Sequence, residues 1–192
     1  MNKINFKYIY ERTRLLLLKP DIAWSTVLKE DSEMKKIYKN YLLPIAATTT
    51  LLTFLLSLID YNLYQSIALG IINFLAVSAG TWLSYRIAKE YLCGKLNIPE
   101  NQALNITVYC SAIFITFHSI GSVLGNAFFG QLFTLLSFIF IRTLYVGLQQ
   151  VTALKPGQRT NIFVILCVSI ICMPAIITQL LRILLDIPAL NI

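Results

Sequence analysis

Two groups between Ala103 and Gln150 could do chemistry that an apolar segment cannot, the guanidinium of Arg142 and the imidazole of His118. Between Glu100 and Lys155 there is no Asp, Glu or Lys, so both stand isolated among apolar side chains. An Arg so placed can grip a phosphate through its planar fork of donors, or it can tie helices together through carbonyls and water. A lone His can relay a proton or serve as a neutral, hydrogen-bonded structural group. Both pairs of readings stay open. If the stretch is an antiparallel hairpin turning near Asn126, residues at equal depth have numbers summing to about 251 or 252, because each helix rises about 1.5 Å per residue. Tyr109 then lies level with Arg142, His118 with Thr134, and Asn105 with Gly147.

Arg142 is about eight residues, or roughly 12 Å, from the end of its segment. It is expected to face the bundle interior and to meet Tyr109, a freed carbonyl or a lipid headgroup. Arg142, Tyr109 and Asn105 are thus the candidate ligand or headgroup site. His118 is roughly 18 Å from Arg142 along the hairpin axis, so it falls outside that site and groups with Thr134 and Asn73 as buried polar residues. Arg182 and Asp186, four apart, are expected to form a local ion pair.

Catalysis lacks an inventory. A hydrolase or transferase needs a nucleophile with a base, paired carboxylates or a metal cluster in one pocket. Here the one His has no carboxylate near it in sequence, and Asp60, Glu90, Glu100 and Asp186 are dispersed. HExxH, GxSxG and Gly-rich phosphate loops are missing. The four Cys contain no CxxC; Cys110, Cys167 and Cys172 read as small hydrophobes inside apolar segments and Cys93 as part of a turn. No enzymatic activity, cofactor or metal is expected.

The elements that must position these groups follow from composition. The 192 residues are 57% hydrophobic and only 13% charged, with mean hydropathy +0.69, well beyond ordinary soluble domains. The expected class is an all-α membrane protein of five transmembrane helices, spanning about 41–59, 63–88, 103–124, 128–150 and 161–185 (domain 41–187), each on the order of the 20 residues a crossing requires. Pro44 falls in the opening turn of the first span, where its missing N–H costs little. Asp60 to Asn62 make a tight turn and Lys89 to Gln102 a polar loop. Gly70, Ser78, Ala79 and Gly80 permit close helix contact in the second span. Asn73 reads as an interhelical hydrogen bond, and Pro174 as a kink in the fifth span.

Residues 1–40 form a separate amphipathic segment. Ile4 to Leu18 mix apolar positions (Ile4, Phe6, Ile9, Leu15 to Leu18) with Lys7, Arg12 and Arg14, and at helical spacing this suits either an anionic membrane surface or the protein's own cytoplasmic side. Pro20 ends that helix or starts the next, Trp24 and Trp82 are the expected interface anchors, with Tyr85 beside Trp82, and Ser32 with Glu33 signals a helix start. No cleavable signal is expected ahead of the first span, because the opening residues are too charged for an h-region.

Fourteen of the sixteen Lys and Arg lie in residues 1–40, the second polar loop and the last connector, with only Arg142 and Arg182 inside spans. The positive-inside rule places the N-terminus in the cytoplasm and the C-terminus outside, with a bacterial inner membrane the expected location. The net charge of +7 is therefore a topology signal and does not point to nucleic acid.

Four stretches resemble the Ypt-interacting protein (Yip) family in its short prokaryotic form: LLLLKPDIAWSTVLKE, YKNYLLPIAA, YLCGKLNIPENQALNITVYCSA and LYVGLQQVTALKPGQRTNIFVIL. Pro20, Trp24, Pro44, Gly94, Tyr109 and Gly147 carry the resemblance. It implies five spans, a cytoplasmic N-terminus and, by eukaryotic members, a place in membrane traffic with Rab GTPase binding. Ala112 stands where relatives often have Pro, and the long N-terminal region of eukaryotic members is missing. The expected function is a non-enzymatic partner-binding or membrane-organising module acting through its basic face, toward anionic lipid headgroups or a protein partner, with a homo-oligomer allowed. The alternative is a small oligomeric permease or channel with Arg142 near its path.

Overall fold

A chain this apolar can satisfy its backbone inside lipid as helices or as a closed barrel. The computed structural model describes residues 6–30, 33–125, 128–151 and 154–186, and they are helical, with no strand among them. Two short helices, α1 (Phe6–Leu18) and α2 (Pro20–Val27), precede five long ones. These are α3 (Met34–Ser57), α4 (Leu63–Gly94), α5 (Glu100–Leu124), α6 (Phe128–Gln150) and α7 (Pro156–Leu184), all long and apolar enough to cross a membrane.

Polar residues extend these helices beyond the apolar runs. α3 starts at Met34 instead of Tyr41, so Pro44 is not in an opening turn. The preceding stretch Tyr38–Leu42 is a π-helix, with the Leu43 N–H donating to the Tyr38 carbonyl. Pro44 has no N–H for the Asn40 carbonyl and its ring would crowd it; the widened turn accommodates both defects. α4 likewise runs on through a π-helical stretch, Glu90–Gly94, and α5 starts at Glu100, so the loop expected over 89–102 shrinks to 95–99. Cys93 accordingly lies in helix, not in a turn. Pro20 opens α2 at its first turn, where its fixed φ is an asset. Ile4 and Ser32 lie outside the described residues.

α5 is the hub. Every residue from Ala103 to Ile115 is buried, and the helix packs against α3, α4, α6 and α7. Asn73 of α4 ties three of these together: its Nδ2 donates to Thr49 Oγ1 of α3 at 3.4 Å, and its Oδ1 accepts from Ser119 Oγ of α5 at 2.9 Å. α4 in turn packs closely along α7. There Gly80 receives Pro174, and a Cβ at Gly80 would lie 2.8 Å from the proline Cγ. α7 stays helical through Pro174, and Ser84 Oγ reaches the Ser169 carbonyl at 3.0 Å. Opposite this packed interior, α6 and α7 expose Leu135, Val164, Val168, Ile176 and Leu180, a continuous apolar exterior that water would penalise and lipid would not.

Candidate functional site: the docked N-terminal hairpin

α1 and α2 fold back on one end of the bundle, against α5 and α6. A short helix leaves its last carbonyls without intrahelical partners. Beyond α2 the following turn takes those of Trp24, Thr26 and Val27, and α5 adds side-chain donors at Val27 and Glu30. Asn105 Nδ2 donates to the Val27 carbonyl at 2.8 Å and to that of Glu30 at 3.4 Å, and Asn101 Nδ2 reaches the Glu30 carbonyl at 3.3 Å. From α6, Gln150 Nε2 donates to the Asp21 carbonyl at 2.7 Å.

Trp24 is the keystone of the joint. It is fully buried, its Nε1 donates to the Thr143 carbonyl at 2.8 Å, and its ring meets Tyr109 edge-on at 6.3 Å. The expected interface anchor is therefore a core residue, because α2 turns that face onto the bundle. Gly147 makes the contact possible: a Cβ there would be 2.8 Å from Trp24 Cε2. Trp82, by contrast, is half-exposed with the Arg86 guanidinium 5.7 Å from its ring. Tyr85 is buried within the bundle; its hydroxyl donates to Glu100, which also pairs with Lys89 at 2.7 Å.

Around Tyr109 lies a polar and aromatic cluster. Its hydroxyl shares a hydrogen bond of 3.2 Å with that of Tyr8, and its ring packs 4.5 Å from Tyr41. Tyr41 in turn shares a 2.8 Å bond with Thr13 Oγ1. Arg12 of α1 donates to Glu30 and to Tyr8 Oη, and its guanidinium lies 5.8 Å from the Tyr109 ring and 5.3 Å from that of Tyr8. Burial works against the charged form of Arg12, but Tyr109, Glu30 and Tyr8 together outweigh it. The guanidinium is held above its ordinary value, and it remains cationic while half-buried.

Tyr109 thus receives an Arg, but not Arg142. Arg142 is exposed on the outer side of α6 and makes no polar contact among the described residues. The inward face of that helix is Phe140, Thr143, Leu144, Gly147 and Leu148, an i, i+3, i+4, i+7, i+8 stripe. Arg142 lies outside it, so equal depth with Tyr109 did not mean contact. His118 and Thr134 also fail to meet. The His118 ring stacks on Phe114 at 5.0 Å, whereas Thr134 Oγ1 donates to the Gly130 carbonyl at 3.0 Å beside Gly121. The Arg182–Asp186 pair does not form. α7 ends at Leu184, which breaks the i, i+4 register. Arg182 is only 5% exposed, with Nε and Nη2 unpartnered among the described residues.

Of the expected site residues, Tyr109 and Asn105 converge with Trp24 and Gly147; Arg142, His118 and Thr134 stay apart. Arg12, Glu30, Tyr8 and Tyr41 were not anticipated. The one local signal for Arg12 was its place on an amphipathic helix; its partner lies 18 residues on, and Tyr8 meets Tyr109 across 101 residues. No family model matches the chain, and no curated protein or solved structure matches it either.

Proposed function

We propose that the chain is a non-enzymatic, multi-pass membrane protein whose N-terminal hairpin is a docking and membrane-organising face on the cytoplasmic side. The observation that carries this reading is the two-sidedness of α1. Its inner side is clamped through Arg12, Thr13 and Leu16, while Phe6, Tyr10, Arg14 and Leu18 form an outward stripe at four-residue spacing. Phe6 and Tyr10 are 61% and 65% exposed, which a free aqueous surface would not favour. With Lys7, Arg14 and Lys19 beside them, the stripe has the make-up of a helix lying among anionic headgroups. A rigid hairpin would hold that stripe at one height relative to the bilayer.

The cation distribution supports a cytoplasmic N-terminus, and the resemblance to the Yip family agrees with this reading. Arg142 fits it as well, since a guanidinium on the outer side of α6 can snorkel toward the phosphates of the same leaflet.

The test uses the full chain in lipid nanodiscs with Tyr10→Trp and Trp82→Phe, leaving buried Trp24 as a constant background. Emission from position 10 is expected to be blue-shifted and quenched by brominated phosphatidylglycerol, more weakly in phosphatidylcholine. Water-like emission in both lipids, with no quenching, would overturn the proposal.

A further inference from the structure

Away from the hairpin, the end of α4 and the start of α7 enclose a groove of about 520 Å³. It is lined by Tyr91, Lys95 and Leu96 on one side and by residues of α7 from Gln158 to Ile165 on the other. We infer that this groove is a binding site for a single phospholipid with an anionic headgroup, drawn from the leaflet that meets the basic end of the bundle.

The charge at its mouth comes first. The segments bordering it carry Arg86, Lys89, Lys95, Lys155 and Arg159 against only Glu90 and Glu100. Most of these cations already have a partner. Lys89 is paired with Glu100, Arg86 lies over Trp82, and Arg159 Nη2 donates to the Leu154 carbonyl. Lys95 has no carboxylate within ion-pair reach among the described residues, and its Nζ lies 4.4 Å from the centre of the Tyr91 ring. An ammonium placed by an aromatic face and lacking a counter-ion suits a phosphate oxygen.

Neutral donors complete the mouth. Gln158 spends its Oε1 on the Lys155 N–H at 3.3 Å, which leaves its amide N–H groups to donate, and Asn161 is exposed at the same rim. Below them the lining turns apolar through Leu96, Ile162, Val164 and Ile165. Val164 and Val168 continue outward along α7 at a four-residue step, both 53% exposed. Cation and amides above a hydrocarbon track match a headgroup above an acyl chain, and a soluble anion would leave that track bare. The volume is within the range of small-molecule sites, roughly 300 to 1,000 Å³.

This inference requires the bundle to be membrane-embedded, as proposed above, but not that the hairpin be a docking face. The experiment is native mass spectrometry of the detergent-purified full chain, offered phosphatidylglycerol or phosphatidylcholine with identical acyl chains. One phosphatidylglycerol per chain is expected to survive delipidation better than phosphatidylcholine. Lys95→Gln should lower its retention about five-fold, the usual weight of one Lys near an anionic lipid, and leave phosphatidylcholine unchanged. Val164→Trp, which narrows the track, should lower both, and Lys29→Gln on the hairpin, outside the lining, neither. Equal retention of the two lipids, or equal effects of Lys95→Gln and Lys29→Gln, would overturn the site while leaving membrane embedding intact. Failure to retain any lipid would likewise overturn the site.

Discussion

Removing the Arg12 guanidinium should release the hairpin while the bundle stays folded. The Arg12 and Glu30 side chains are 11% and 32% exposed, between the fully exposed pairs that contribute under about 1 kcal/mol and the buried ones whose disruption costs about 3 to 5 kcal/mol. Arg12→Ala also removes the bond to Tyr8 and the cation over two rings. A loss of about 2 kcal/mol for hairpin docking is the intermediate figure, with charged hydrogen bonds contributing about 1.5 to 3 kcal/mol. At about 1.4 kcal/mol per decade this raises the undocked population roughly 30-fold. Hydrogen exchange with mass spectrometry in nanodiscs reads that population directly, since the hairpin opens as a local unit. Amides over 20–30 should exchange roughly 30-fold faster in Arg12→Ala, and less so in Arg12→Lys, with α4 and α7 unchanged. Unchanged exchange over 20–30, or a uniform acceleration in every helix, would refute the clamp.

The other predictions concern the Trp24 joint, Arg142 and topology. Trp24→Phe should cost about 0.5 to 1.5 kcal/mol, the loss of one indole hydrogen bond to a carbonyl that keeps its place in the helical ladder, and Trp24→Ala about 3 to 5 kcal/mol; Gly147→Ala should destabilise by displacing the ring, and thermal melts should rank Gly157→Ala, with nothing within 4 Å, as harmless. Arg142→Leu should leave the melting temperature unchanged or raise it, since the side chain leaves no partner unpaired, whereas a large drop would place Arg142 in the interior. With Cys93→Ser as background, an impermeant thiol reagent should label Lys95→Cys only from the cytoplasmic side and Asp60→Cys only from the outside; the reverse pattern would invert the topology.

Depth was readable from the sequence and azimuth was not. Five apolar runs and the cations between them place each helix along the bundle axis, because transfer into lipid depends on run length and on charge. The ends of α3, α4 and α7 were misplaced by several residues, since helices continue into polar sequence as long as the backbone can bond within itself. Pro44 shows the limit: proline punctuation argued for a start, but a π-helical turn ahead of it let the helix begin at Met34.

The site obeyed a different logic. Arg142 was drawn inward because a charge in hydrocarbon is expensive, yet that cost can be met by snorkelling as well as by burial. The decisive clue was the small pair Thr143 and Gly147 on one stripe of α6, which clears room for the largest side chain in the chain and so turns Arg142 outward. That clue needs Trp24 as the occupant, and Trp24 bonds to Thr143 across 119 residues. The polar groups that hold the hairpin, Asn105 under α2 and Arg12 beneath Tyr109, are likewise satisfied by residues that become neighbours only after α1 and α2 fold back. The hairpin is held in two layers, an apolar one in which Leu16, Trp24, Val27 and Leu28 join the bundle core and a polar one of side-chain bonds from α5 and α6, and both form only between residues far apart in the chain.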